Sequence, residues 1–339
     1  MAATMQDVAD LAQVSLSTVS YTLSGKRPVG AETRARIESA MAELGFRRHA
    51  AARALASRRT HVLAVAYPVY GVALGATLNE IVAGAAAAAR AAEYELVLWP
   101  VSSVEPEMLH ELAGQRTADG VVLMEVALDD PRIAVVETAG LACALIGRTE
   151  DPGDHVWVDI DFEDALEQSV AHLVELGHRD IAFINRSQAS LDAGYGPVVR
   201  AQRGYERAMA ARGLRPLAVP CDVTPPAGRR AVQRLLADVP DITGVIVMNE
   251  LALFGVAGAL REAGRSVPRD VSVIAVAVAH EISEMYERPL TYLAPPGPEQ
   301  GARAIRGLLE VLDGHPAPAG ANLPCVLHVR ETTGPAPRH

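Results

Sequence analysis

The chain has 339 residues, 50% of them hydrophobic, which is enough for two or three domains with cores of their own. Its formal net charge of -10 excludes a generic nucleic-acid coat and a basic membrane binder. The three cysteines, Cys143, Cys221 and Cys325, are far apart, so neither a disulfide framework nor a zinc knuckle is indicated. Without a secretory signal pattern or an apolar run of about 18 residues, the protein is expected in the cytoplasm and not in a membrane.

The charge is divided unevenly along the chain. Residues 1–60 hold nine Lys or Arg and five Asp or Glu, a local charge of +4. The remaining residues hold 22 cations and 36 anions, a charge of -14. A small basic head therefore precedes a large acidic body.

Three short helices are predicted in the head. Thr4 and Asp7 form a capping box at the start of the first helix, which ends near Gln13. Ser15 is placed to cap the second helix, and the third ends at Gly45. Three helices with a turn of about three residues between the first two are typical of a helix-turn-helix domain.

The pattern changes after the head. Residues 48–60 are rich in Ala and Arg but too few to be stably helical alone, which predicts a conditional hinge helix or linker. From His61 onward apolar strands alternate with helices, as in an open doubly wound α/β sheet. The body is too long for one typical sheet, so we divide it into two lobes near Asp159. Strands are predicted at 62–66, 95–99, 120–124, 143–146, 181–184, 244–248 and 271–276.

Segments in both parts of the chain resemble the lactose-repressor (LacI/GalR) family of bacterial transcription regulators. In the head they are 7–12, 14–15, 18–20, 33–34, 41–46 and 52–55, and in the body 173–183, 259–274 and 289–291. The resemblance covers nearly the whole chain. It implies an α/β fold with a three-helix helix-turn-helix head, a hinge helix, and a body like periplasmic binding proteins, in which three crossings join two lobes around a ligand cleft.

The resemblance divides the chain into four parts. These are a DNA-binding domain (1–47), a hinge helix or linker (48–60), a ligand-sensing and dimerisation body (61–330) and a tail (331–339) that we expect to be disordered. The N-lobe is expected at about 61–160 and 293–323, and the C-lobe at about 161–290 and 324–330.

The second helix carries the DNA-reading residues that the resemblance implies. Side chains at the start of such a helix enter the major groove, which assigns base reading to Leu16, Ser17 and Tyr21. Tyr21 stands where many relatives carry Arg, so the operator should differ from the commonest family sites. The alternative is that Leu16 and Tyr21 pack in the core of the head. Contacts to the DNA backbone are assigned to Ser15, Thr18, Ser20 and Arg34.

The head departs from the family pattern at several positions. Gln13 replaces the usual Gly of the turn, where a left-handed backbone costs a non-Gly residue roughly 1 kcal/mol. Gly30 stands where relatives often have a capping Ser. In the hinge, Arg53 and Leu55 are assigned to the minor groove, where two such leucines from a dimer kink the DNA. Alternatively, Leu55 is only the one large apolar residue of an Ala-rich linker.

The cleft keeps part of the family's ligand-binding set. Asn249 and Glu250 occupy the Asn-Asp position, and Arg200 is the expected pocket arginine with Arg203 as its backup. Residues 275–278 lack the usual acid, which makes a typical hexose inducer doubtful. Three hypotheses remain open: a less polar or anionic ligand, a pocket rewired around Arg148 and Asn249-Glu250, or a cleft that no longer responds. A surface salt bridge is the alternative role of Arg200, and a helix cap is that of Asn249.

Two other classes of protein are disfavoured. An enzyme is not indicated, because the chain has no phosphate-binding loop, nucleophile elbow or zinc-protease motif, and we expect no cofactor and no metal. A secreted solute-binding protein would need an export signal and would lack the basic head. The sequence thus predicts a homodimeric repressor that binds a palindromic operator in double-stranded DNA under control of a small-molecule effector, sugar-like or other. The alternatives are a regulator whose cleft has lost or changed its response and, next, a cytoplasmic small-molecule-binding protein without DNA function.

Overall fold

The computed structural model describes residues 3–24, 27–46, 59–67, 75–101, 108–115 and 117–337. They belong to two compact units. The head unit is Met1–Val62 with Gln115–Asp119, and the body unit is Leu63–Gly114 with Gly120–His339.

The head unit contains the three predicted helices, α1 (Met5–Ala12), α2 (Leu16–Ser24) and α3 (Ala31–Glu43). The capping box of Thr4 and Asp7 is formed at the start of α1. Apolar side chains at helical spacing meet in one small core, which confirms the helix-turn-helix arrangement. This core consists of Val8, Ala9, Ala12, Val19, Ile37, Ala40 and Phe46.

The turn between α1 and α2 has the expected left-handed backbone at Gln13, the position where family members usually have Gly. Gln13 has φ 53° and ψ 49° and caps the end of α1. The Arg36 guanidinium donates to the backbone oxygens of Ala12 and Gln13, and the second bond is 3.1 Å long. This side chain from α3 therefore holds a turn that the residue type disfavours. Gly30, at the start of α3, makes no side-chain cap bond, as its lack of a side chain requires.

Two mainly parallel sheets form the framework of the body, and their central strands are apolar and buried. The first contains β1 (Val62–Tyr67), β2 (Glu95–Pro100), β3 (Gly120–Leu123), β4 (Ala142–Ile146), β5 (Val156–Ile160) and β11 (Ala321–Leu323), in the order β11-β5-β4-β3-β1-β2. The second contains β6 (Ile181–Ile184), β7 (Ala218–Val219), β8 (Gly244–Val247), β9 (Ser272–Val276), β10 (Thr291–Ala294) and β12 (Val326–His328), in the order β12-β10-β9-β8-β6-β7. The edge strand β12 pairs antiparallel to β10.

Helices cover both sheets. The N-lobe, built on the first sheet, has α4 (Ala76–Ala91), α5 (Met108–Gly114), α6 (Pro131–Thr138) and α13 (Gly297–Leu312). The C-lobe, built on the second, has α7 (Phe162–Glu175), α8 (Gln188–Asp192), α9 (Gly196–Ala211), α10 (Pro225–Asp238), α11 (Ala252–Glu262) and α12 (His280–Met285). In the part of the chain that the structure describes, no helix is long and apolar enough to cross a membrane.

The chain passes between the two sheets three times. It crosses after β5, after β10 and between β11 and β12. Since β10 pairs with β9, residues 293 and 294 belong to the C-lobe, and the second N-lobe segment begins slightly later than the expected position 293. The carboxyl ends of parallel strands, where ligands of such sheets bind, therefore border the crossings.

The expectation of a disordered tail was wrong for residues 331–337. Thr332 is fully buried, and its hydroxyl donates to the Val273 backbone oxygen at 2.7 Å and accepts from the Thr291 N–H at 2.8 Å. Farther along, the Ala336 N–H donates to the Leu176 backbone oxygen at 2.8 Å. The segment is ordered because its polar groups complete hydrogen bonds that the C-lobe would otherwise lack.

The tail should loosen in acid, because a buried histidine holds it. His178 Nε2 donates to the Gly334 oxygen at 3.0 Å, which leaves Nδ1 to accept from the Thr243 hydroxyl at 3.0 Å. Burial, with a smaller contribution from His172, lowers the pKa of His178 below its usual 6.5. The unfolded state then binds more protons below about pH 6.5, so the stability that His178 provides is lost as the pH falls through its lowered pKa. Hydrogen exchange of residues 331–337, corrected for intrinsic rates, should be faster at pH 5 than at pH 7.5.

The matched variant is His178→Gln, whose amide can donate to Gly334 but does not titrate in this range. The pH dependence of exchange in its tail should be smaller than in the wild type, and the remainder comes from His172, which lies 3.0 Å from the Thr333 hydroxyl and whose pKa is also lowered by burial. Equal protection of the wild-type tail at pH 5 and pH 7.5 would show that His178 does not hold it.

Candidate functional site

Helix α2 presents the predicted DNA-reading side chains at its exposed N-terminal end. The side chain of Leu16 is 44% exposed and Ser17 is exposed, whereas Val19 lies in the core. The Ser15 hydroxyl is within hydrogen-bond distance of the hydroxyls of Ser17 (2.8 Å) and Thr18 (2.7 Å) and accepts from the Thr18 N–H. These hydroxyls lie at the start of a helix, a position that favours phosphate binding.

Tyr21 lies one turn farther along α2 and is half-buried. Neither Tyr21 nor Leu16 belongs to the core cluster of the head. The guanidinium carbon of Arg27 lies 5.3 Å from the centre of the Tyr21 ring, within cation-π distance. The ring is therefore held at the edge of the helix by a cation, and Tyr21 remains a candidate for base reading.

The other predicted DNA-contacting residues are placed unequally. Ser20 is half-buried and Arg34 is exposed. Arg53 and Leu55, assigned to the minor groove, lie outside the described residues. The roles of all these residues remain predictions.

A cavity of about 380 Å³ lies between the two lobes of the body. It opens where β3, β4 and β5 of the N-lobe and β8 and β9 of the C-lobe end. Most of its described wall is apolar. The apolar side chains are those of Leu78, Ile81, Met124, Ile146, Ile160, Phe162, Pro197, Val223, Met248, Leu251, Val276, Ala277 and Ile282.

Asn249 borders this cavity, but its amide is already fully engaged. Nδ2 donates to the backbone oxygens of Cys221 (3.1 Å) and Asp222 (3.2 Å), and Oδ1 accepts from the Ala252 N–H at 3.1 Å. The side chain is 4% exposed. The observed contacts are those of a helix cap, the alternative that the sequence left open for this residue.

Glu250 borders the cavity and links the two lobes. Its carboxylate accepts from the N–H groups of Ala76 (3.1 Å) and Thr77 (3.2 Å) and from the Thr77 hydroxyl at the start of α4. A carboxylate is stabilised there by the unpaired amides and the positive end of the helix dipole. The acid that replaces the expected Asp therefore caps a helix of the opposite lobe.

Arg200 is buried in an ion pair and is absent from the cavity wall. Its side chain is 3% exposed, and Nη1 lies 3.1 Å from Asp159 Oδ2. Nη2 donates to the backbone oxygens of Arg148 (2.7 Å) and Thr149 (3.1 Å). Burial raises the pKa of Asp159 to about 6, and the pKa-lowering effects of Arg200, the Ile160 N–H and Arg148 do not fully offset it. Asp159 itself borders the cavity.

The remaining two effector candidates also lie outside the cavity wall. The Arg148 guanidinium lies 3.8 Å from Asp159 and 5.6 Å from the ring of Trp157. Arg203, half-exposed, pairs with Glu150 at 3.1 Å on the surface. Of the five effector candidates, only Asn249 and Glu250 line the cavity. Arg200 and Arg148 instead contact Asp159, which does line it.

Sequence reasoning missed a second cluster on the cavity wall. Arg186 Nη1 lies 3.6 Å from Glu125 Oε1, and the Tyr195 hydroxyl donates to the same oxygen at 3.3 Å. The Arg186 guanidinium carbon is 5.2 Å from the centre of the Tyr195 ring. Burial is the largest cause of a raised pKa of Tyr195, so its hydroxyl keeps its proton. Glu125 follows the end of β3 and Arg186 follows the end of β6, both by two residues. Because ligands bind at the carboxyl ends of parallel strands, this position could have indicated both residues from the sequence.

The segment without an acid, residues 275–278, borders the cavity. Val276 and Ala277 line the cavity, and the Thr77 hydroxyl oxygen lies 3.2 Å from the Ala277 backbone oxygen. No carboxylate enters from this loop. Within the described ranges, no group of three or more His, Cys, Asp or Glu is arranged to hold a metal ion.

Family models match both parts of the chain. Residues 4–49 match bacterial regulatory proteins of the lacI family, and residues 170–333 match the periplasmic binding protein-like domain. Among characterised relatives, the HTH-type transcriptional regulator CelR of Thermobifida fusca is 33% identical over 97% of this chain and 98% of its own. The HTH-type transcriptional regulator AglR of Rhizobium meliloti (strain 1021) is 29% identical over 99% of this chain and 96% of its own.

Solved structures agree with these matches over the full length. A transcriptional regulator CelR-cellobiose complex has a TM-score of 0.74 and 29% identity, with 97% of this chain and 99% of that chain covered. The Lac repressor dimer bound to operator and the anti-inducer ONPF has a TM-score of 0.82 and 25% identity, with 98% and 100% covered. Together with the helix-turn-helix head and the two-lobed body, these similarities show that the chain belongs to the lacI family of bacterial regulatory proteins, as a DNA-binding transcriptional regulator and not an enzyme.

Proposed function

We propose that the protein is a homodimeric repressor that binds a palindromic operator in double-stranded DNA and responds to a small molecule in the interlobe cavity. The observation that carries the proposal is the exposed start of α2, where Leu16 and Ser17 face outward while Val19 anchors the helix in the core. A helix so held can enter the major groove with its first side chains against base edges. A regulator of this kind works where the chromosome is, in the cytoplasm.

The residues divide into two roles on DNA. Leu16 offers an apolar contact suited to a thymine methyl, and Ser17 and Tyr21 offer hydroxyls that bond base edges. Ser15, Thr18, Ser20 and Arg34 contact phosphates and fix the register of the helix. Arg53 and Leu55 complete the site from the hinge, in the minor groove.

Two copies are needed to read a palindrome, because each head reads one half-site. The Lac repressor in the related structure is a dimer on its operator, which supports the same assembly here. Leu98 on the edge strand β2 and Met285 at the end of α12 are large exposed apolar side chains of the kind that a dimer buries.

The cavity supplies the control. Ligand that binds one arrangement of the lobes more tightly shifts the population toward it, and the spacing of the two heads changes with it. The CelR relative is solved with cellobiose, which supports a small-molecule ligand in this cleft. A regulator with a changed response is the second candidate, because the Asn249 amide and the Glu250 carboxylate are both committed to bonds within the protein.

Tyr21→Ala tests the DNA-reading surface. We expect the variant to bind its genomic sites about 5- to 100-fold more weakly, equivalent to roughly 1–3 kcal/mol, and to relax base preference at one operator position. The measurement is fluorescence anisotropy on fragments that the wild-type protein recovers from its own genome, followed by sequencing of selected random sites. The affinity should also fall steeply with salt, because arginine-phosphate contacts release counterions.

Ser39→Ala is the matched control, since Ser39 is exposed on α3 and is outside the predicted contacts. It should leave affinity and base preference unchanged. If Tyr21→Ala instead unfolds the head, as seen by circular dichroism, then Tyr21 is a core residue and the assignment of base reading fails.

A further inference from the structure

Building on the proposed function, we propose that the cavity binds an uncharged, largely apolar molecule with a single hydrogen-bond donor, such as a phenol or an alcohol. A free sugar or a small anion does not fit its wall.

The ionic groups of the wall are matched within the protein. Glu125 is engaged by Arg186 and Tyr195, and Asp159 is engaged by Arg200 and Arg148 behind it. Glu250 is held by two backbone amides and a hydroxyl. A charged ligand would have to break one of these partnerships while losing its own hydration, so neither an anion nor a cation gains from entering.

Outside the cluster of Glu125, Arg186 and Tyr195, the described part of the wall also offers few polar groups for a sugar. Both hydrogen-bonding ends of the Asn249 amide are bonded to the backbone, and the Thr77 hydroxyl is bonded to Glu250 and the Ala277 oxygen. Residues 275–278 supply no carboxylate to hold a pair of hydroxyls. Sugar hydroxyls buried here would lose water without gaining partners, which is costly.

The surface that remains is apolar and comes from both lobes. Met124 and Ile146 approach from the N-lobe sheet, and Phe162, Met248 and Val276 approach from the C-lobe. At about 380 Å³ the cavity is at the small end of the range for small-molecule sites. Its walls therefore suit a compact hydrocarbon body.

Gln300, a residue of the wall, has one acceptor atom without a partner among the described residues. Gln300 lines the cavity and is 2% exposed, and its Nε2 donates to the Val158 oxygen at 3.0 Å. Its Oε1 is buried and, within the described residues, accepts no hydrogen bond. A buried oxygen without a donor is unfavourable, and this oxygen exposes almost no surface, so a ligand O–H satisfies it only when the amide turns toward the cavity. This is why the ligand needs one donor in addition to its apolar body.

The test compares three probes on the full-length protein by isothermal titration calorimetry and thermal shift. These are 2-naphthol, naphthalene, which lacks the hydroxyl, and cellobiose. We expect 2-naphthol to bind and naphthalene to bind about tenfold more weakly, whereas cellobiose should not bind at millimolar concentration. Stronger binding of cellobiose than of 2-naphthol, or no binding of 2-naphthol, would overturn the inference.

Gln300→Met removes the unpartnered acceptor and keeps the length of the side chain. Its affinity for 2-naphthol should fall about tenfold, to that of naphthalene, while its affinity for naphthalene stays unchanged. Gln233→Met, at an exposed position on α10, is the control and should bind both probes as the wild type does. If Gln300→Met does not fold, the comparison of 2-naphthol with naphthalene on the wild-type protein still decides the question.

DNA binding without any probe separates this inference from the proposed function. Recovery of genomic fragments by a protein that ignores 2-naphthol would overturn the ligand class alone. Binding of 2-naphthol by a protein that recovers no DNA would support the ligand class and overturn the proposed function.

Discussion

Asp159→Ala should destabilise the body unit by about 3 kcal/mol, because it leaves a buried arginine without its carboxylate. Arg200 is 3% exposed and cannot shed its charge, since a guanidinium stays protonated in proteins. Arg148 lies beside the same carboxylate, so its removal also leaves two cations facing each other. The two backbone oxygens that Arg200 retains do not replace a negative charge.

Arg203→Ala is the matched control, because Arg203 forms its ion pair with Glu150 on the surface. Exposed pairs contribute about 0–1 kcal/mol, so this variant should unfold close to the wild type. Both are compared by urea denaturation at pH 7.5, where Asp159, with its pKa raised to about 6, is ionised. If the two variants lose similar amounts of unfolding free energy, then Arg200 does not need the Asp159 carboxylate to compensate its buried charge.

Gly301→Ala should destabilise the N-lobe by roughly 2–3 kcal/mol through overpacking. A Cβ added at Gly301 would lie 2.0 Å from the Ile81 backbone oxygen and 2.7 Å from the Ala85 nitrogen. Gly84 on α4 is equally close to α13, where its added Cβ would meet the Pro298 oxygen at 2.1 Å. The helices α4 and α13 therefore touch through their backbones, and one methyl group forces them apart.

Gly114→Ala controls for the change of residue type. Gly114 is exposed at the end of α5, and a Cβ added there would meet nothing within 4 Å. Its variant should be neutral or slightly more stable, since Ala is favoured over Gly in helices by about 1 kcal/mol. Thermal unfolding of both variants by calorimetry makes the comparison. If Gly301→Ala is as stable as the wild type, then α4 and α13 can move apart to admit the methyl group without a loss of unfolding free energy.

The elements that sequence predicted well are those with a strong local pattern. The strands Val62–Tyr67 and Gly244–Val247 are continuous apolar runs, and the start of α1 is set by two residues of one capping box. The packing of the tail could not be predicted, because Thr332 finds its partners about 41 and 59 residues away in sequence. Its composition, rich in Pro, Gly and Thr, is that of a free end, and only the folded C-lobe supplies partners.

The cleft was predicted in part. The family resemblance assigned Asn249 and Glu250 to the cleft, and both residues line the cavity. The choice between Arg200 and Arg203 depended on which one the fold buries, and spacing alone does not determine that. The contact between Glu250 and the start of α4 joins residues 173 positions apart, so no local pattern indicates it.

Glu250 of the C-lobe caps the start of α4 in the N-lobe. Its carboxylate therefore connects the two lobes beside the cavity. A ligand that competes for the Glu250 oxygens must displace the two N–H groups from them. It breaks this contact between the lobes and favours their separation. A ligand that contacts only the apolar side chains leaves the contact between Glu250 and α4 in place and stabilises the present arrangement of the lobes. We therefore expect the direction of the response to depend on whether a ligand competes for the Glu250 carboxylate.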